Sequence, residues 1–328
     1  MTQHLYAAPD HHHLAAKGAL NRRAAIASVS AALILGLLKG YALWETGSIA
    51  MLGSLADTVL DLIASLVTLF GVHVAAQPAD LHHRFGHGKA EALAALFQVS
   101  LITVTAVGII IRSVERLQGG AAPTGLETGI AVSLLAMAVT AMLLWYQARI
   151  IRRTASLAIR ADNVHYQSDM MLNGAVIAAL LLEGLLGLHG ADAVFGIVIG
   201  VWLGWGAWRA SSQAINELMD REWPLARREQ FLAVAARHPE LRGIHDMRTR
   251  TSGAQDFVQF HMWMDPTLTL AEAHGIMDEV EGRLKAEFPG VDILIHPDPV
   301  GHVDSGDPLA ARDATDLVAQ IRAEKERE

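Results

Sequence analysis

Six stretches of the chain, residues 24–44, 48–72, 90–111, 130–146, one ending near Leu186 and 191–207, are mostly apolar. Each has about the ~20 residues needed to cross a bilayer. Inside hydrocarbon the backbone must satisfy its own hydrogen bonds, so such segments form helices. The expected fold therefore begins with a membrane all-α domain, a six-helix transmembrane domain over residues 23–213. Composition agrees, with 52% hydrophobic and only 18% charged residues and a mean hydropathy of +0.29. A soluble domain carries about 25% charged residues, and the deficit here lies in the first two thirds of the chain.

Basic residues sort by loop. Lys17, Arg22 and Arg23 precede the first helix, Arg84 and Lys89 lie between the second and third, and Arg149, Arg152, Arg153 and Arg160 between the fourth and fifth. The remaining loops hold little besides Arg112 and Arg116. By the positive-inside rule both termini face the cytoplasm. Residues 1–22 are polar and carry His4, His11, His12 and His13, without the apolar core and cleavage site of a signal peptide. They read as a solvated tail.

After Asp220 the composition becomes that of a soluble domain. Residues 224–238 and 270–288 have helical character, 243–251 and 256–264 read as strands around a Ser252-Gly253 turn, and 291–296 as a short β-branched strand. The order α-β-β-α-β predicts a two-layer α/β domain over residues 214–300. Residues 301–328 are expected to form a polar, mobile tail ending in a charged helix.

The chemistry begins inside the second apolar segment, where Asp57 and Asp61 are spaced i and i+4 and share one helix face. The fifth segment repeats the spacing with His165 and Asp169. Carboxylates in lipid are costly unless they face a partner or a cavity, and serine, threonine or asparagine would tie helices together at lower cost. Docking the two faces gathers three carboxylates and one imidazole, the number of ligands that tetrahedral zinc takes. Such a cluster shares protons when empty and expels them when metal arrives, because metal requires deprotonated ligands. Lys39, within the first helix, snorkels, neutralises a carboxylate or serves packing, and the packing role is preferred.

Elsewhere the spacing decides less. Asp80, His82, His83 and His87 crowd a short loop that suits a metal or an ordinary polar turn. His245, His261 and His296 lie on three separate expected strands, where a common site is possible but not fixed by spacing. The chain has no cysteine and 16 histidines, so imidazole and carboxylate are its strong transition-metal ligands. A nitrogen ligand among carboxylates ranks Zn²⁺ first, with Cd²⁺, Fe²⁺ and Co²⁺ as alternatives, over manganese or magnesium. The net charge of −8 argues against nucleic acid as a partner. Neither His-Glu-x-x-His nor Gly-x-Ser-x-Gly occurs, and four protein ligands leave zinc no open position, so an enzyme is not expected.

Gly47-Ser48-Ile49, Gln77-Pro78-Ala79-Asp80, Phe85-Gly86-His87-Gly88-Lys89-Ala90-Glu91, His165-Tyr166-Gln167-Ser168-Asp169 and His245-Asp246-Met247-Arg248-Thr249-Arg250 together carry a resemblance to the cation diffusion facilitator family. It extends from about Arg22 to Pro299. The resemblance implies a homodimer in the bacterial inner membrane, with a ferredoxin-like cytoplasmic domain. It implies a divalent-metal exporter that exchanges Zn²⁺ for protons; a membrane-bound metal sensor is the alternative that the α/β domain and its histidines permit. Matched by position, Asp57, Asp61, His165 and Asp169 look like the transport site, and Asp80, His83 and His87 like a loop site. His245, His261, His274, His296 and Asp298 look like a binuclear cytoplasmic site. Pro297 stands where the family has glutamine, which removes an N–H and fixes φ between two ligands. Lys89 and Asp220 resemble the family's inter-subunit or hinge charge pair.

Overall fold

The computed structural model describes residues 11–46, 49–118, 126–186, 190–237, 243–302 and 313–325. His4 and the Gly47-Ser48 pair lie outside these residues. Six long helices fill the first part: α1 His11–Thr46, α2 Ile49–Ala75, α3 Ala90–Leu117, α4 Leu126–Thr154, α5 Leu157–Leu186 and α6 Ala191–Leu218. His11, His12 and His13 form the start of α1. Among the described residues, five of the six helices contain a span long and apolar enough to cross a membrane. The first half of α5 carries Arg160, Asp162, His165 and Asp169.

Small residues bring the helices together, as dispersion between close backbones replaces the hydrophobic effect in lipid. Ala24, Ala25, Ala94 and Ala158 are buried side by side with Val72 and Ile159. A Cβ on Gly71 of α2 would sit 2.4 Å from that of Ala94 on α3, and one on Gly200 of α6 would sit 2.5 Å from Ile110 on α3. Outward-facing Leu37, Tyr41, Trp44, Phe70, Met142, Trp205 and Trp208 are exposed, an apolar belt suited to lipid.

The chain divides into two compact units, one Ala16–Asn216 and the other chiefly Glu217–Glu328. In the second, α7 Leu225–Ala235 precedes β1 Ile244–Ser252, β2 Gln255–Met264, α8 Leu270–Glu287, β3 Val291–Pro299 and α9 Ala314–Lys325. The expected α-β-β-α-β order forms. The sheet runs β1-β2-β3, with β1 and β2 antiparallel across a turn that holds Gly253 at φ 59°. Strands β2 and β3 are parallel, which requires the crossover that α8 provides. Thr269 and Glu272 start α8 with a reciprocal capping box. Phe231, Phe260, Met262 and Leu284 are fully buried between helices and sheet.

The mobile-tail expectation for residues 301–328 is corrected over 313–325. Ala314 is buried in the domain core, the backbone of Asp313 pairs with that of His245, and Arg322 of α9 pairs with Glu229 of α7. The segment's polar composition concealed this, because Asp313 anchors α9 through main-chain pairing and by accepting from Thr315 N.

Candidate metal centres

Helices α2 and α5 meet through two adjacent polar contacts. His165 Nε2 lies 2.9 Å from Asp61 Oδ1, and one turn along α2 the Ser65 hydroxyl is 2.9 Å from the Tyr166 hydroxyl. Tyr166 also donates to Ser28 O at 3.3 Å and stands edge-on to the His165 ring at 5.6 Å, which fixes the imidazole. Asp169 Oδ2 is 3.8 Å from His165 Nε2. Asp61, His165 and Asp169 each offer one ligand atom, all within 4.8 Å of one another. His165 is buried, and its Nδ1 has no hydrogen-bond partner among the described residues.

Asp57, expected as the fourth member, is exposed one turn earlier on α2 and stands outside this close group. Its charge, like those of Asp61, His165 and Lys39, still acts on Asp169. Lys39 turns onto α2, donating to Thr58 Oγ1 at 2.6 Å and Ser54 O at 3.3 Å. It thereby ties α1 to α2 within the helical turns that carry Asp57 and Asp61.

The loop between α2 and α3 gathers a second group. Asp80 Oδ1 accepts from the backbone of His82 and His83 at 2.8 and 2.7 Å, which bends the loop back on itself. Asp80 then lies 3.4 Å from both His83 Nδ1 and His87 Nε2, and the two rings are 4.5 Å apart. The His83 and His82 amides hold its carboxyl below the usual carboxylate range. This group is open to solvent apart from half-buried His87.

The third group is built by strand register. His245 pairs with His261, and His261 with His296, so one rung crosses all three strands. Asp298 follows His296 by two residues and returns to the same face. Around it lie His261 Nδ1 at 2.8 Å, His245 Nε2 at 3.1 Å and His296 Nδ1 at 3.2 Å. The Nδ1 atoms of His261 and His296 face each other at 3.3 Å, and the buried Nδ1 of His245 has no partner among the described residues. Nitrogen lone pairs converging on a carboxylate fit a cation better than they fit one another. Trp263 stacks on the His245 ring at 4.4 Å. Pro297 leaves this arrangement intact, because β3 keeps its pairing with β2 through that position. His274 does not join the group; it is exposed on α8, 3.8 Å from Asp278.

Burial pushes the His245 imidazole below its ordinary range, against the pull of Asp298. For Asp298, burial opposes its charge, but the His261 hydrogen bond and the imidazoles of His296, His261 and His245 prevail and hold the carboxyl low. Neutral imidazole and ionised carboxylate are the forms a metal needs. A folded histidine with a depressed pKa binds fewer protons than the unfolded one, so stability falls as pH drops through about 6.5. Asp298 contributes stability above the ordinary carboxyl range, lost as pH falls through its folded value. The metal-free domain is therefore expected to melt lower at about pH 5.5 than at about pH 7.5, and tryptophan fluorescence during heating checks it.

Sequence reasoning overlooked Asp246, which sits at φ 44° where the β1–β2 register shifts, with Oδ2 3.8 Å from His261 Nε2. It also overlooked buried Asp162 and Glu91, whose signal was an acid within an apolar helix. Of the family's charge pair, Asp220 lies 3.6 Å from Arg250, and Lys89 is the N-cap residue of α3.

The family model for the cation efflux transmembrane domain matches residues 25–219, and that for the cation efflux protein cytoplasmic domain matches residues 224–300. The chain belongs to the cation efflux family. This is the cation diffusion facilitator assignment that the motifs implied. The cation-efflux pump FieF of Cronobacter sakazakii (strain ATCC BAA-894) is 43% identical over 282 residues, 86% of this chain and 94% of that protein. The FieF pump of Escherichia coli O127:H6 is 42% identical over the same shares. Among solved structures, the zinc form of the putative zinc transporter CzrB is 33% identical, with a TM-score of 0.23, covering 26% of this chain and 98% of that one. As a cation efflux protein, this multi-pass chain is a transporter of divalent metal cations and not an enzyme.

Proposed function

We propose that the chain exports Zn²⁺ from the cytoplasm in exchange for protons, as a homodimer in the bacterial inner membrane with both termini cytoplasmic. Cd²⁺, Fe²⁺ and Co²⁺ are the alternative cargoes. The observation that carries this reading is the Asp61–His165–Asp169 group, which joins α2 to α5 inside the helices. Asp57 completes the transport site when cargo arrives, being on the same face of α2 one turn away. A divalent ion there replaces protons shared among the carboxylates and His165, so opposite gradients are exchanged if the site opens alternately to each side. Asp80, His83 and His87 form a loop site. His245, His261, His296 and Asp298 form the cytoplasmic site, with His274 facing outward from it.

The test is zinc entry into proteoliposomes across an imposed pH gradient. Zinc movement with proton counterflow is expected. A folded, zinc-binding protein that moves no zinc would instead be a membrane-bound metal sensor. Competition by cadmium, iron and cobalt ranks the cargoes.

A further inference from the structure

Asp162 lies on α5 one turn before His165 and has no exposed surface. A carboxyl group at such a place among membrane helices is costly, and structure or function must account for it. Four helices meet on it. Ser28 Oγ of α1 is 2.6 Å and Gln147 Nε2 of α4 is 2.7 Å from Asp162 Oδ2, while Gln98 Nε2 of α3 is 2.9 Å from Oδ1. Asn163 donates to Gln147 Oε1 at 2.9 Å, which orients the Gln147 amide. Among the described residues, α1, α3 and α4 present only these uncharged groups to Asp162. Its α5 neighbours His165 and Tyr166 lie within electrostatic reach of it.

The Ser28 hydroxyl has one hydrogen and two acceptors within reach, Asp162 Oδ2 and Ala24 O at 3.2 Å. It also receives the Gln147 amide at 2.9 Å. When Asp162 is ionised, Ser28 donates to it, and both glutamine amides donate as well. When Asp162 carries a proton on Oδ2, that proton is donated to Ser28 Oγ, and Ser28 turns its own hydrogen to Ala24 O. Every heavy-atom contact persists in both states, and each state leaves the groups satisfied. Glu91 provides the contrast. It accepts from Asn21 and Ser156, but no second acceptor for the Ser156 hydroxyl is found among the described residues.

We propose that Asp162 is a second proton carrier of the exchanger, switching between carboxylate and carboxylic acid inside an unchanging hydrogen-bond cage as metal reaches and leaves His165. The proposal rests on the proton-coupled reading of the Asp61–His165–Asp169 site. A divalent cation held by His165 adds positive charge within reach of Asp162 and favours its ionised form. The O–H bond on Oδ2 breaks, the proton leaves to the water on the side the site then faces, and the Ser28 hydrogen swings from Ala24 O to Oδ2. Release of the cation reverses each change, with a proton taken from the opposite side.

The experiment follows zinc entry and internal pH together in proteoliposomes of the full chain, for wild type, Asp162→Asn, Ser28→Ala and Asp61→Ala. Asp162→Asn is expected to slow zinc exchange and to move about one proton fewer per zinc, since one carrier of a coupled set is gone. Ser28→Ala retains the carboxyl but removes its switching partner, and should lower the proton-to-zinc ratio in the same direction; it serves if the first variant fails to fold. Infrared difference spectra between zinc-free and zinc-bound wild type should show, beside any band from Asp61 and Asp169, a protonated carboxyl C=O component lost on binding that is missing from the Asp162→Asn spectra. Wild-type proton-to-zinc ratios in the folded variants, or an unchanged infrared band, overturn the proposal alone. Zinc flux that persists in Asp61→Ala removes the site reading and this proposal with it.

Discussion

Asp61→Ala is expected to stop zinc transport, lowering flux by roughly 100-fold or more, the consequence of removing one partner from a buried charged group at a cost of about 3 kcal/mol or more. Asp61 is the residue that joins α2 to His165, at 2.9 Å, so its loss opens the site as well as removing a ligand. The neighbouring acid should behave differently. Asp57 stands outside the close group, and Asp57→Ala is expected to raise the half-saturating zinc concentration by about tenfold, equivalent to ~1.4 kcal/mol, with a smaller change in maximal rate. Proteoliposome flux over a range of zinc concentrations separates the two. Equal and complete loss in both variants would mean that Asp57 is already an indispensable ligand in the loaded state. Wild-type flux in Asp61→Ala would mean that metal crosses elsewhere.

The second large effect is expected at Asp298, the carboxylate on which three imidazoles converge. Asp298→Ala leaves buried His245 with neither ring nitrogen in the contacts it now makes. An unsatisfied buried polar group costs about 1–3 kcal/mol, so the metal-free cytoplasmic domain should melt several degrees lower. Zinc affinity at that site should fall by about 100-fold or more, beyond the 10–100-fold typical of losing a residue behind the ligands. His274→Ala should leave both quantities nearly unchanged, because His274 faces solvent on α8. Calorimetric zinc titration of the full chain, with Asp61→Ala as background to silence the membrane site, reads these effects. Retention of that affinity in Asp298→Ala would place the metal among other ligands.

The two membrane pairs were legible because four residues of helix return to one face, which a sequence states directly. The spacing within each pair carried the reading of α2 and α5, but could not say that Asp57 stands apart from the other three. That depends on the angle at which the helices cross, which neither segment encodes alone. The cytoplasmic histidines were harder for a different reason. His245, His261 and His296 are 16 and 35 residues apart along the chain, and only the register of β1, β2 and β3 makes them neighbours. A one-residue slip would send one of them to the other face. Asp162 went unread since its partners come from three other helices, each by a single side chain. The docking of helix α9 onto the domain went unread since main-chain pairing at Asp313 has no compositional signature.

The prolines of β3 have a consequence for how copies of the domain can meet. Val300 N bonds back to Met264 O, and alternation along the strand then aims the nitrogens of Pro297 and Pro299 away from β2. An incoming strand would find no donors at those two positions of the outer edge. The sheet is thereby blunted against growth by strand addition, the route by which crowded β domains begin to aggregate. Copies of the domain that meet at this edge are therefore steered toward recognition through side chains and away from a continuous ribbon of strands.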